Sequence, residues 1–198
     1  MTDKPEAPAT ERNRDSILDV LRIEFEQSLS VLEIGSGTGQ HAVFLGRELP
    51  WLNWQTSDCQ KNHDGINAWI ADASLANVRR PLDLDVELVG DVPGEYDAVF
   101  SANTAHIMNF DAVKCMFEIV GSCLPAKGRF CLYGPFKLDG EFTSQSNKEF
   151  DESLKVRDPQ MGIRELDTLY VLASDNQLTH ARSYAMPANN MLVVWSRD

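Results

Sequence analysis

The sequence predicts an α/β fold, a mostly parallel sheet with helices on both faces and an antiparallel strand at its end. Three observations carry this. Short apolar runs alternate with stretches of helical periodicity from Ile17 to Ala173. The first apolar run ends in the glycine-rich turn Gly35–Gly39 and passes at once into a helical stretch, the order of a parallel strand–turn–helix unit. The last two runs are joined only through Pro187-Ala188-Asn189-Asn190, too short for a crossover, so they form a hairpin.

The chain has 198 residues, 43% of them hydrophobic, enough to bury one sizeable core. Residues 1–12 read as a flexible tail, because Pro, Ala, Thr and Glu without apolar periodicity do not repay the entropy of ordering. Residues 13–198 read as one domain. A net charge of −12 argues against a nucleic-acid partner, which needs clustered Lys and Arg. Cys59, Cys115, Cys123 and Cys131 form no CxxC pair and have no His/Cys cluster beside them, so neither a metal site nor a disulfide framework is expected. The polar N-terminal stretch lacks the apolar core of a signal peptide, and no apolar run has the length of a membrane span. A cytoplasmic location and no membrane partner are the corresponding expectations.

Ile17, Leu18, Leu21 and Phe25 fall at helical spacing after Asp15 and Ser16, which can cap the start. Val31, Leu32 and Ile34 form the first strand, and His41 to Leu49 the next helix, stopped before Pro50. A strand follows at Asn53 to Thr56, a helix near Gly65 to Ala73, a third strand near Leu82 to Val86 and a strong fourth from Ala98 to Ala102. Then come a helix from Ala112 to Leu124 and the strand Phe130 to Tyr133. The long polar stretch from Phe136 to Gly162 breaks the rhythm, holds one short helix around Lys148 to Val156, and reads as a lid. A helix near Glu165 to Ala173 precedes the closing strands, Thr179 to Tyr184 and Met191 to Trp195.

Gly35, Gly37 and Gly39 stand at alternate positions between strand and helix, where glycine allows positive φ and close approach of a ligand to the backbone. Dinucleotide folds use G-x-G-x-x-G and set a pyrophosphate at the helix start. Here the spacing is even and Glu33 precedes it, an acid that would repel pyrophosphate but suits the cationic ammonium and sulfonium of S-adenosylmethionine. Asp58, about twenty residues beyond the last glycine, can accept hydrogen bonds from ribose hydroxyls. Asp85, with the Val86 amide, can read the adenine amino group at the end of the third strand.

With these residues the chain resembles the class I S-adenosylmethionine-dependent methyltransferases. More narrowly, it resembles an uncharacterised methyltransferase-like family through ERNRD at Glu11, GSGTGQH, LDLDV, SANTAHI, YGPF, QSN with FDESL, and MPANN. The resemblance implies a three-layer Rossmann-like fold with a seven-stranded sheet whose last strand is antiparallel. It assigns Glu33, Gly35, Gly37 and Gly39 to the methionine part of the cofactor, Asp58 to ribose, Asp85 and Val86 to adenine, and Ser101, Ala102 and Asn103 to the sulfonium, with Ser36 and Cys59 as further cofactor-binding candidates. The Asn/Asp-Pro-Pro-aromatic motif of many amino-group methyltransferases is absent, with SANTAH in its place.

Methyl transfer from a sulfonium is an in-line displacement that positioning largely drives. His106, just past the fourth strand, has the pKa range of a general base, and Tyr133 at the end of the fifth can line an acceptor pocket. Asn13, Arg14, Asn147 and Arg164 are candidates for the acceptor, with Phe150, Asp151 and Arg157 beside them in the lid, while His41 shapes the loop. A lid that excludes water favours a small-molecule acceptor. A non-catalytic S-adenosylmethionine-binding scaffold, an NAD-dependent oxidoreductase and a protein methyltransferase are the competing readings.

Overall fold

The computed structural model describes residues 4–88 and 90–198. Helix α1 (Pro8–Glu24) begins earlier than Asn13 because Pro8 occupies its first turn, where a missing N–H costs nothing. Residues 4–7 are held against the body. Lys4 pairs with Asp72, the Trp69 indole donates to the Pro5 carbonyl, and the Ala7 amide donates to Gln40 Oε1. Residues 1–3 of the expected tail lie outside the described residues.

After α1 come β1 (Ser30–Ile34), α2 (Gln40–Glu48), β2 (Asn53–Asp58), α3 (His63–Ala73), β3 (Val78–Asp83), β4 (Ala98–Ala102), α4 (Phe110–Cys123) and β5 (Arg129–Gly134). The chain closes with α6 (Leu166–Asp175), β9 (Leu178–Met186) and β10 (Asn190–Arg197). These strands form a seven-stranded sheet in the order β3-β2-β1-β4-β5-β10-β9. β1 to β5 run parallel, and β10 is antiparallel to both β5 and β9. The final hairpin and the antiparallel last strand of the sequence reading are therefore present.

β1 and β4 are nearly continuous in apolar residues because both of their faces are covered. One core sets Phe25, Trp54 and Phe100 against α1 and α2, and the other sets Phe117, Phe130 and Trp195 against α4 and α6. In the second, Phe117 meets Phe130 and Trp195 edge-on while Phe130 and Trp195 stack, the geometries that aromatic quadrupoles favour.

β3 lies earlier than Leu82 to Val86. It is the edge strand, and its run Val78-Arg79-Arg80-Pro81 is half exposed, so no apolar pattern marks it; an edge also tolerates proline. The stretch after β5 is more ordered than a loop with one short helix. β6 (Phe136–Leu138) pairs antiparallel with β7 (Glu141–Phe142) and parallel with β8 (Arg164–Glu165). Between them α5 (Gln145–Arg157) starts at Ser144, whose hydroxyl accepts from the Asn147 amide.

Candidate cofactor and acceptor site

The C-terminal ends of the five parallel strands share one sheet edge, the place where open α/β sheets bind ligands. At this edge Gly35, Gly37 and Gly39 all take positive φ, 75°, 59° and 89°. The Gly35 and Ser36 amides both donate to the Ser57 carbonyl, which folds the turn back over β2. Each glycine has its own reason. A Cβ on Gly35 would lie 2.5 Å from Thr104 Cγ2, and one on Gly39 would lie 3.0 Å from Ile66 Cα. At Gly37 nothing lies within 4 Å, so that stretch of loop faces open space.

Beneath the loop Glu33 is only 2% exposed, and its Oε2 accepts from Ser36 Oγ at 2.8 Å and from the Trp54 indole at 3.1 Å. Burial pushes its pKa up to about 7, with the charge of Asp58 adding to the rise. Asp58 is fixed just beyond. Its Oδ2 accepts from the Gly37 amide at 2.7 Å, and its Oδ1 from the Cys59 amide and Asn62 Nδ2. Asp85 lies past the end of β3, in a turn where its Oδ1 accepts from the Glu87 amide. It is still on this edge, because the Leu84 amide donates to the Asp58 carbonyl and the Asp85 charge helps to raise the Cys59 thiol. Val86 is buried beside it.

The end of β4 completes the floor. Ser101 is fully buried, donates to the Ile34 carbonyl and accepts from the Thr104 hydroxyl, so it clamps β4 to β1 and has no face toward a ligand. Ala102 is half-buried, and Asn103 follows at φ 60° with its amide donating to the Tyr133 carbonyl.

Asn13, His41 and Tyr133 form a buried polar cluster joining α1, α2 and β5. Asn13 Oδ1 lies 2.8 Å from His41 Nε2, and the Tyr133 hydroxyl turns toward Asn13. Burial lowers the pKa of His41 to about 4, so this imidazole is neutral, and it raises that of Tyr133. Arg14 turns elsewhere, pairing with Glu11 at 2.7 Å and covering the Phe44 ring.

His106 is 5% exposed and lies edge-on to Phe150 of α5, with 5.3 Å between ring centroids. Burial first, then the charges of Arg164 and Arg157, lower its pKa to about 4. Arg164 acts as a clasp: its Nε donates to the Ala105 carbonyl, and its Nη2 donates to those of Met108 and Gln160. Asn147 ties α5 to the neighbouring turns through Thr143 Oγ1 and the Asn189 carbonyl. Asp151 accepts from Lys155 and from the Ile163 amide. Of the four acceptor candidates, Arg14, Asn147 and Arg164 are thus engaged by protein partners, and Asn13 belongs to the buried cluster.

A model of the family described as "Protein of unknown function (DUF938)" matches residues 4–197. The chain belongs to this family. Its fold is also that of solved methyltransferases. An O-methyltransferase family protein from Burkholderia thailandensis superposes with a TM-score of 0.81 at 16% identity, over 96% of this chain and 57% of that one. The S-adenosylmethionine-dependent methyltransferase SibL, in its apo form, gives 0.79 at 19% identity over 96% and 55%. PigF with SAH gives 0.79 at 15% identity over 98% and 62%. The chain spans less than two thirds of the length of each of these proteins. This DUF938 chain therefore has the Rossmann-like methyltransferase fold.

Two contributors to the site escape sequence reasoning. Thr104 fills the space that only Gly35 leaves, and Trp54 holds the Glu33 carboxylate. Trp54 did carry a signal, a large aromatic in an otherwise polar strand next to the glycine unit. Among the described residues no group of three or more His, Cys, Asp or Glu is placed to hold a metal ion, and no helix is long and apolar enough to cross a membrane.

Proposed function

We propose that the chain is an S-adenosylmethionine-dependent methyltransferase acting on a small-molecule acceptor. The observation that carries this is the open stretch of backbone at Gly37, flanked by the buried acid Glu33 and the fixed acid Asp58. The residues present fit the cofactor. Glu33 meets cationic charge with a carboxyl that ionises as that charge arrives, and Asp58 and Asp85 offer acceptors to sugar hydroxyls and an exocyclic amine. The bound cofactor supplies an electrophilic methyl group on a good leaving group. The protein's part is then to orient, to exclude water and to steer the acceptor. The Asn13–His41–Tyr133 cluster sets α1 against the loop helix, and α5 brings Phe150 over His106. His106, neutral at physiological pH, contributes shape and a hydrogen-bond acceptor, and is a weak proton acceptor.

The test is calorimetric titration of the full chain with S-adenosylmethionine, S-adenosylhomocysteine and NAD. The proposal expects the first two to bind, and Asp58→Ala to weaken both by about tenfold or more, the cost of a lost hydrogen bond to a charged group. Binding of NAD with neither of the others would replace it with the oxidoreductase reading.

A further inference from the structure

The two halves of this edge set different charged groups around their buried titratable residues. Around the glycine loop stand Glu33, Asp58 and Asp85. Around His106 stand Arg164 and Arg157. Arg164 is half-buried, and among the described residues it bonds to the carbonyls of Ala105, Met108 and Gln160 and meets no carboxylate within ion-pair distance. Asp151, the acid closest to it in effect, is already paired with Lys155 at 2.6 Å. Arg157, in the last turn of α5, lies seven residues and so about two turns beyond Phe150 on the helix face that Phe150 sets against His106, and it forms no ion pair among the described residues. The remaining acids of this wall are turned outward or locally bonded. Glu149 accepts from Gln145, Asp158 accepts from the Gln160 amide, Glu165 accepts from the Gly140 amide, and Glu152 is exposed. At the acceptor side of a molecule of net charge −12, these two guanidiniums act on the His106 ring without an ion-pair partner among the described residues.

Two further observations bear on what enters there. Apolar side chains are left partly open beside His106, with Phe150 39% and Ile107 43% exposed. No hydrogen bond within the described residues reaches the His106 ring nitrogens, and with its pKa lowered to about 4 the ring is poorly suited to hold a proton taken from a substrate. Tyr133 is turned to Asn13, and its pKa is raised by burial. The acceptor half thus lacks a base tuned to neutral pH, and it repels a cationic amine.

Resting on the methyl-transfer reading above, we infer that the acceptor is an oxyanion on an apolar ring, a carboxylate or an acidic phenolate, drawn in by Arg157 over the Phe150 face. The step then balances without a base. A lone pair of the acceptor oxygen forms the O–CH3 bond as the S–CH3 bond breaks with its electron pair going to sulfur. A neutral ester or ether and a neutral thioether are left, and no proton moves. Arg164, locked to the loop carbonyls, supplies the fixed part of the field, and Arg157, free to reorient, is the specificity residue.

The experiment is calorimetric titration of the full chain, with and without S-adenosylhomocysteine, using benzoate and 4-nitrophenolate and their neutral counterparts benzamide and nitrobenzene. At least one anion is expected to bind about tenfold or more tighter than its counterpart. Arg157→Gln, on an exposed helix end, should cut that preference about fivefold or more while S-adenosylhomocysteine binds as before. Preference for benzoate alone assigns a carboxylate, and for 4-nitrophenolate alone a phenol. Equal binding of the neutral compounds, absence of anion binding, or an undiminished preference in Arg157→Gln overturns the inference. If S-adenosylhomocysteine binds and no anion preference exists, only this inference falls; an anion preference without S-adenosylhomocysteine binding removes the methyl-transfer reading instead.

Discussion

Two buried titratable groups on one sheet edge behave in opposite ways. Glu33 keeps its proton up to about pH 7, whereas His106 stays unprotonated down to about pH 4. Burial is the largest cause of both shifts, since it disfavours the charged form of either group. At His106 the charges of Arg164 and Arg157 add to it, whereas at Glu33 the hydrogen bonds from Trp54 and Ser36 oppose it and Asp58 adds a smaller part. The glycine-loop half therefore holds a carboxyl that ionises near neutral pH, and the His106 half a neutral imidazole on which two guanidinium charges act. The difference teaches that one cause, burial, leaves an acid and a base both uncharged, so that the charges around each decide which ligand charge it favours.

The sharpest way to break this comparison is to remove Arg164. Arg164→Met leaves the carbonyls of Ala105, Met108 and Gln160 without their donor, which should cost about 3–4 kcal/mol in urea unfolding. A loss below about 1 kcal/mol would mean that Arg164 is not the clasp described.

Next in size is the pH dependence. For Glu33 the folded-state pKa is raised, so its contribution is fully present below its unfolded value and is lost as pH rises through about 7, a span of about 3 kcal/mol. His106 and His41 have lowered folded values, so their contributions are present above about pH 6.5 and are lost as pH falls toward 4. Subtracting the stability curve of Glu33→Gln from that of the native chain should isolate a slope falling from about pH 4.5 to 7. A flat difference curve would remove the donor side of the comparison.

The glycines divide stability from binding. Gly35→Ala sets a Cβ against Thr104 at a positive φ and should destabilise by about 2–3 kcal/mol. Gly37→Ala, in open space, should lose only about 1 kcal/mol through its φ, yet weaken S-adenosylmethionine binding by about tenfold or more because the methyl stands where the ligand approaches. Equal effects of the two on binding would show that the open stretch is not the contact surface. The smallest effect belongs to Tyr133→Phe, about 1 kcal/mol of stability from the lost contact with Asn13 and a change in S-adenosylmethionine affinity below about twofold.

What is legible in the sequence follows the same division. The glycine unit, Glu33 and Asp58 sit within or next to one strand–turn–helix, so local spacing places them. The sequence places Asp85 at the right edge but sets the third strand too late, because the half-exposed edge strand β3 has no apolar rhythm. On the acceptor side, polar type alone could not distinguish ligand-facing groups from structural ones. Arg164 and Asn147 bond to backbone carbonyls distant in sequence, Arg14 pairs with Glu11 one turn away, and Ser36 turns inward to Glu33. Their partners are set by how the region between β5 and α6 folds over the sheet edge, which no short motif encodes. The start of α1 is not legible for a related reason, since Trp69 and Gln40 order residues whose own composition does not.

The central claim is that a cationic cofactor binds over Glu33. It is tested most directly by titrating S-adenosylmethionine into the chain at pH 6.5, in two buffers of different ionisation enthalpy. The account predicts binding with net proton release, because a carboxyl that ionises near pH 7 in the free protein gives up its proton to the arriving charge, and predicts that this release disappears in Glu33→Gln. Failure of S-adenosylmethionine to bind, or binding whose proton count is the same in the native chain and in Glu33→Gln, would contradict it.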